Sequence, residues 1–384
     1  MKKKNNFRIV GSGPTGLLLS IVLSRFNCNI FLTDLLEREK LTYKDKTYAI
    51  THSTRKILLK FRLWKKLEPF LFGFDTLSIS DSVTSAFTKL TIDDLDDDIN
   101  SAENIGWVVK HSDLMDVFFQ EIDNQDNIFF MKPQNLYEKK ILFDYQFFST
   151  GANSFDKKLF HTIDLKKNYD QSCLTFKVLL RGNIEKRAYE IFRDEGPLAL
   201  LPLSNNLYQI IWTSSTSKSI ARLNSDKNFL LDNLSTILPV EFKLDQIIGE
   251  FNIFPVSLSL NFQLFGLKKL VFVGDAFHTF HPVGGQGLNT CWRDVNTIFD
   301  LLNKNNEITK MQLIFFKFKY FSSRILDIIF TMLITDSLIL FFANNNLFLF
   351  PIRKFSFLLL NNFLFIRKLV LNQMTKSLTY SKIK

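Results

Sequence analysis

The 384-residue sequence predicts a mixed α/β (α+β) fold on three observations. A glycine-rich turn, VGSGPTG at residues 10–16, stands between a short apolar run and a second, helix-forming one. The long middle section, 170–262, is patterned for strands. From about residue 306 the chain becomes strongly apolar, with Lys and Arg set among Phe and Leu. These features predict a Rossmann-like nucleotide-binding domain, an interleaved β-sheet domain and a C-terminal helical region.

The first unit is the most legible. Residues 7–10 form a buried strand, 17–23 a helix, and 28–34 a second strand that ends in an acid, Asp34. Strand, glycine turn, helix, strand and acid within some 30 residues is the setting a dinucleotide fingerprint requires. Gly11 permits the tight turn. Gly13 lets the backbone approach a pyrophosphate, where a Cβ would collide. Gly16 lets the helix pack on the sheet. Pro14 and Thr15 open the helix, whose free N–H groups face the phosphates. Asp34 is placed to accept ribose hydroxyls.

Further along, the alternation of Leu77, Ser78, Ile79 and Ser80 reads as a strand. The acidic run at 93–98 reads as a solvated loop. Residues 112–122 read as a helix, with Ser112 as its N-cap. The runs 198–203 and 208–212 flank Ser204–Leu207, a hairpin signal. Trp212 reads first as sheet core; with Leu201 and Pro202 it is also a substrate-pocket candidate of this β-rich part. A last strand at 270–273 enters VGDAFHTFHPVGGQGLNT, residues 273–290. Here Gly284, Gly285 and Gly287 make a second Cβ-poor loop. Leu288, Cys291, Trp292, Val295, Ile298, Phe299 and Leu302 follow at helical spacing. A second glycine loop therefore feeds a second helix N-terminus, again a place for negative charge. His278 and His281 lack a third ligand, so no metal is expected.

The predicted organisation is discontinuous. Residues 1–70, 101–168 and 264–305 form the nucleotide-binding domain, 71–100 and 169–263 the β-rich substrate domain, and 306–384 the helical region. Lys and Arg number 48 and Asp and Glu 38, a formal net charge of +10. The charge is scattered and no zinc-finger or RNP motif occurs, so no nucleic-acid partner is expected. Three distant cysteines suit a reducing compartment. The N-terminus lacks an unbroken apolar region, so the expectation is a cytoplasmic protein. In the tail, Asp327, Asp336 and Pro351 interrupt the apolar run and argue against a membrane span. Arg353, Lys354, Arg367, Lys368 and Lys376 among Phe and Leu instead suggest peripheral contact with the inner membrane.

The segment GDAFHTFHPVGGQGLN resembles the flavin-contacting motif of the FAD-dependent aromatic hydroxylases, the group A flavoprotein monooxygenases of the p-hydroxybenzoate hydroxylase superfamily. TYAITHSTRKILLKFRLWKKL at 47–67, NIGWVVKHSDL at 104–114, FRDEGPLALLPL at 192–203 and the stretch around Thr335 and Asp336 are similar to the UbiH/UbiF-type hydroxylases of ubiquinone biosynthesis. The resemblance implies an enzyme that binds FAD, takes electrons from NAD(P)H and oxygen from O2, and hydroxylates a polyprenylated phenol. It implies other quinone-biosynthesis enzymes as partners. Gly274 and Asp275 would hold the ribityl and phosphate region. Pro282 and Gly287 would form the flavin environment of the catalytic centre, with no side-chain acid or base assigned. Backbone N–H groups around Gly287, Leu288 and Asn289 would meet the pyrimidine edge. Lys46 stands where the family carries arginine. Thr150, in STGANS, stands where it carries aspartate. The alternatives are a non-catalytic FAD-binding or lipid-handling component of a quinone-biosynthesis complex, and a hydroxylase of another aromatic substrate.

Overall fold

The computed structural model describes residues 4–96, 99, 103–132, 141–152, 163–181, 186–239, 242–262, 269–303, 310–378, 380 and 383. A five-stranded sheet carries the first glycine loop. Its strands lie in the order Leu270–Phe272, Tyr145–Phe148, Asn5–Val10, Cys28–Thr33, Ile128–Met131, every pair parallel. Parallel neighbours need crossovers that cover the sheet. The Pro14–Leu23 helix supplies one, and its residues from Gly16 to Leu23 are all buried. It begins at Pro14, whose fixed φ and missing N–H suit a first helical turn.

The helix at His111–Asp123 departs from expectation at its start. Lys110 is the N-cap, and Ser112 lies inside the first turn, bonded to Asp113. The Gly106–Lys110 strand runs straight into this helix and leaves no extended position for the serine.

The second sheet has eight strands in the order His278–Thr279, Leu244–Phe262, Ile163–Leu180, Leu207–Ser215, Leu198–Pro202, Arg187–Phe192, Thr76–Asp81, Ala86–Thr91. Leu198–Pro202 and Leu207–Ser215 pair antiparallel across the turn at 203–206, as the hairpin signal predicts. A strand shows alternate side chains to opposite faces. Tyr189, Ile191, Leu198, Leu200, Tyr208 and Trp212 form one core with Leu230 and Leu234 of the Lys227–Ser235 helix. The opposite face, with Ala188, Glu190, Phe192 and Leu201, turns to the second glycine loop and the C-terminal helices.

This division corrects the substrate-pocket expectation. Trp212 belongs to the outer core, stacked by the guanidinium groups of Arg193 and Arg222. Pro202 pairs with Tyr208 of that same core. Only Leu201 faces the glycine loops, so the three cannot line one pocket. A small third sheet joins Thr47–Ile50, Gly106–Lys110 and Phe72–Phe74. Phe72–Phe74 thus pairs with a strand from 101–168, while Thr76–Asp81 enters the large sheet.

Two acids of the 93–98 run, Asp94 and Asp96, do not stand in a solvated loop. Asp94 is 2% exposed, closes a capping box with Thr91, and accepts from Arg367 Nε at 2.8 Å. Asp96 accepts from Lys376 Nζ at 2.6 Å and from Asn372. Arg353 is fully buried beside Asp81, at 3.9 Å. Three of the five basic residues expected at a membrane surface therefore anchor the tail to the sheet domain.

One helix, Lys310–Phe342, runs unbroken through Asp327 and Asp336. Asp336 accepts from Lys167 at 2.6 Å and Tyr169 at 2.8 Å. Asp327 joins Arg324, Arg293, Asp294 and His278 in a sealed network. By length and composition Phe315–Phe342 could cross a membrane, contrary to the expectation drawn from the two acids. Its ionic face, however, is sealed against the rest of the protein. The other face exposes Leu326, Ile329, Leu333 and Leu340.

Candidate functional site

Gly11 has φ +101°, which only glycine adopts freely. A Cβ there would stand 2.6 Å from the Ser149 carbonyl oxygen. Gly16 is tighter still, 1.9 Å from the Gly11 oxygen. Both are glycine because the chain crosses itself closely. Gly13 differs. It has ordinary extended backbone, and an added Cβ would meet nothing within 4 Å. Gly13 is the N-cap of the Pro14–Leu23 helix and offers no capping side chain.

Two further glycines face open space in the same way. They are Gly151, at φ +82°, and Gly287, in the first turn of the Gln286–Asn303 helix. Thr150 Oγ1 and Ser12 Oγ are buried without a hydrogen-bond partner among the described residues. A buried orphan hydroxyl costs free energy that a bound ligand can recover.

The second loop is joined to the first. Gly274 has φ +64°, and a Cβ on it would press on Thr15 Cγ2 at 3.0 Å and Cys291 Cβ at 3.2 Å. Its N–H is held by Asp294 Oδ2 at 3.0 Å. Asp275 is exposed and accepts from Cys291 Sγ at 3.3 Å. Pro282 opens a short turn in which Gly284 and Gly285 take φ of +70° and +63°. Leu288 packs on the main core.

The Asn289 side chain is fully committed within the protein. Its oxygen accepts from Thr51 N, Thr51 Oγ1 and Thr54 Oγ1, and its amide donates to Ala49 O and Gly285 O. It clamps the loop to the Thr47–Ile50 strand and the His52–Lys60 helix. Thr51 and Thr54 are site residues that their plain local sequence does not announce.

Asp34 already carries two backbone bonds, from Ser12 N–H at 2.7 Å and Leu36 N–H at 3.0 Å. It fixes the geometry of the first loop. Lys46 lies close enough to Asp275 for their charges to interact; surrounding protein atoms, then Lys44, draw its pKa down, and Asp275 opposes them. The two histidines part company. His278 meets Asp294 at 2.8 Å, whereas His281 meets Gln171 and receives the Val283 N–H.

The arrangement leaves open space beside Gly13, Gly151 and Gly287, with helix N-termini at two points. It fits a long, anionic, partly planar ligand such as a flavin dinucleotide.

The FAD binding domain family matches residues 174–306. The 3-demethoxyubiquinol 3-hydroxylase of Escherichia coli is 31% identical over 35% of this chain and 34% of its own length. The mitochondrial ubiquinone biosynthesis monooxygenase COQ6 of Dictyostelium discoideum is 22% identical over 94% of this chain and 89% of its own. These matches support an FAD-binding monooxygenase of the aromatic-hydroxylase type. The p-nitrophenol 4-monooxygenase PnpA of Pseudomonas putida shares the fold, with a TM-score of 0.75, 13% identity, and coverage of 100% of this chain and 99% of that one. The cofactor of such an enzyme is FAD, and NAD(P)H and O2 are the general co-substrates of the class.

Proposed function

We propose that this flavoprotein hydroxylates a polyprenylated phenol in ubiquinone biosynthesis. The single observation that carries the reading is the open space at three glycines of two loops that meet where Gly274 packs on Thr15 and Cys291. The relatives' names supply the substrate class. Bound FAD supplies electron transfer and oxygen activation, while the protein supplies position and a dry surrounding.

In this reading Gly11 and Gly16 shape the turn, and Gly13 with the helix N-terminus at Thr15 receives the pyrophosphate. Asp34 orders that loop and meets the adenosine ribose. Lys46, Gly274 and Asp275 lie along the ribityl chain. Pro282, Gly284 and Gly285 border the ring. The N–H groups of Gly287, Leu288 and Asn289 stabilise negative charge at its far edge.

The substrate's lipid tail explains the C-terminal surface. Leu326, Ile329, Leu333 and Leu340 lie on one side of the long helix, and Phe355, Phe365 and Leu369 are exposed on the two that follow. We read this as peripheral contact with a bilayer, from which the substrate is drawn.

Deleting the gene and identifying the accumulating quinone precursor by mass tests the pathway. A precursor lacking one ring oxygen supports it, and an unchanged quinone profile overturns it. A second reading, a non-catalytic FAD-binding component, rests on Thr150, which replaces a charged residue with a neutral hydroxyl. Protein that stays yellow and is never bleached by NADH or NADPH supports that alternative.

A further inference from the structure

Glu190 is an acid that neither the fold nor the FAD site explains. It lies in the Arg187–Phe192 strand, paired with Ala199 on one side and Ile79 on the other. Its neighbours Ala188 and Phe192 define its face. Ala188 packs with Phe74 and Leu371, and Phe192 with Val283 and Phe342. Glu190 therefore projects between two apolar clusters, toward the loop that carries Gly284. It accepts a hydrogen bond from the Gly284 backbone N–H.

The other ionisable groups on this sheet face are already engaged. Asp81 faces Arg353 and bonds Thr84, Lys177 is tied to Asp45, and the Cys173 thiol bonds Thr213. Gly284, which meets Glu190, and Met374, which lies beside Gly284, carry no charge. Among the described residues no cation pairs with Glu190. Burial pushes its carboxyl up to about 7, with the Gly284 N–H opposing. A half-buried, unpaired acid poised near neutrality against the second glycine loop is a candidate for proton transfer.

We propose that Glu190 accepts the hydroxyl proton of the phenolic substrate as the ring is presented to the Gly284–Gly287 loop. The inference rests on the phenol-hydroxylase reading above. The phenol O–H bond breaks, the proton bonds to a Glu190 carboxylate oxygen, and the electron pair stays on the phenol oxygen. The ring becomes electron-rich at the positions ortho and para to that oxygen, as electrophilic oxygen transfer requires. Gly284 holds the other end of the acid, so the same loop positions flavin and base.

The test is calorimetric titration of the FAD-loaded protein at pH 7 in two buffers of different ionisation enthalpy. The probes are 2-farnesylphenol and its methyl ether. A phenol O–H donating to Glu190 favours the carboxylate, so the wild type releases about half a proton on binding the phenol, from a group half-protonated at that pH. The ether releases none. Glu190→Gln keeps an acceptor for Gly284, releases none with either probe, and lowers turnover by about 100-fold or more. In the wild type alone, phenol affinity falls by up to about tenfold from pH 7 to pH 6, and ether affinity does not. Phenol binding with equal proton release in wild type and variant overturns this inference and leaves the hydroxylase reading standing. Failure of the wild type to bind the phenol overturns both.

Discussion

Thr15 and Cys291, 276 positions apart, meet across Gly274. The Thr15 hydroxyl donates to the Cys291 sulfur, which in turn donates to Asp275. The two glycine loops thus share one seam, and the helices that leave them pack side by side. This seam brings two distant motifs together.

Gly13 and Gly16 separate binding from folding. Gly13→Val adds a side chain in ordinary backbone and open space and weakens only the helix cap, so urea unfolding of the apoprotein should move by no more than about 1 kcal/mol. Bound FAD, read from the flavin absorbance of the purified protein, should fall at least tenfold. Gly16→Val drives a Cβ into the Gly11 carbonyl and should leave no folded protein.

The buried network of His278, Asp294, Arg324, Asp327 and Arg293 fixes the long helix to the flavin side. Both Arg324 and Asp294 are fully buried. Arg324→Leu takes one buried cation from each of two carboxylates, Asp294 and Asp327, and should cost about 3–5 kcal/mol in urea unfolding. A loss below about 1 kcal/mol would show that the network carries little of the stability.

Glu190 has a stability signature of its own. Its folded pKa is raised, so its contribution is fully present below the unfolded pKa and is lost as pH rises from about 4.5 through about 7. Glu190→Gln should therefore gain stability relative to wild type between pH 5 and pH 8. Below the folded pKa that gain should grow by at most about 1.4 kcal/mol for each pH step of one. Chemical denaturation at pH 5 and pH 8 gives the comparison. A difference independent of pH would contradict it.

The exposed face of Phe315–Phe342 should bind lipid. Leu326→Glu together with Leu333→Glu should abolish flotation with anionic liposomes and leave FAD content unchanged. These residues are 73% and 61% exposed, so the folded core loses nothing by their replacement. Equal flotation of variant and wild type would place the contact elsewhere.

The glycine loops are legible because their chemistry is local. A turn, a close approach and a helix start are written in adjacent residues. The partners of Asp94, Asp96 and Arg353 are not. Arg367, Lys376 and Asp81 lie more than 270 positions away, and nothing in either segment names the other. Period-two alternation shows that the 187–192 and 207–215 strands have two faces without saying which one meets the flavin loops. Trp212 therefore reads as core or as pocket from the sequence alone, and nothing singles out Glu190. Ser112 misleads because N-cap preference is a weak signal where a strand enters a helix directly.

One flavin bridging both loops is tested by titrating the apoprotein with FAD and following absorbance and fluorescence, in wild type, Gly13→Val and Gly287→Val. One FAD should bind per wild-type chain, and each substitution alone should weaken it at least tenfold with folding intact. Colourless wild-type protein that takes up no flavin, or full affinity in either variant, would contradict the shared site.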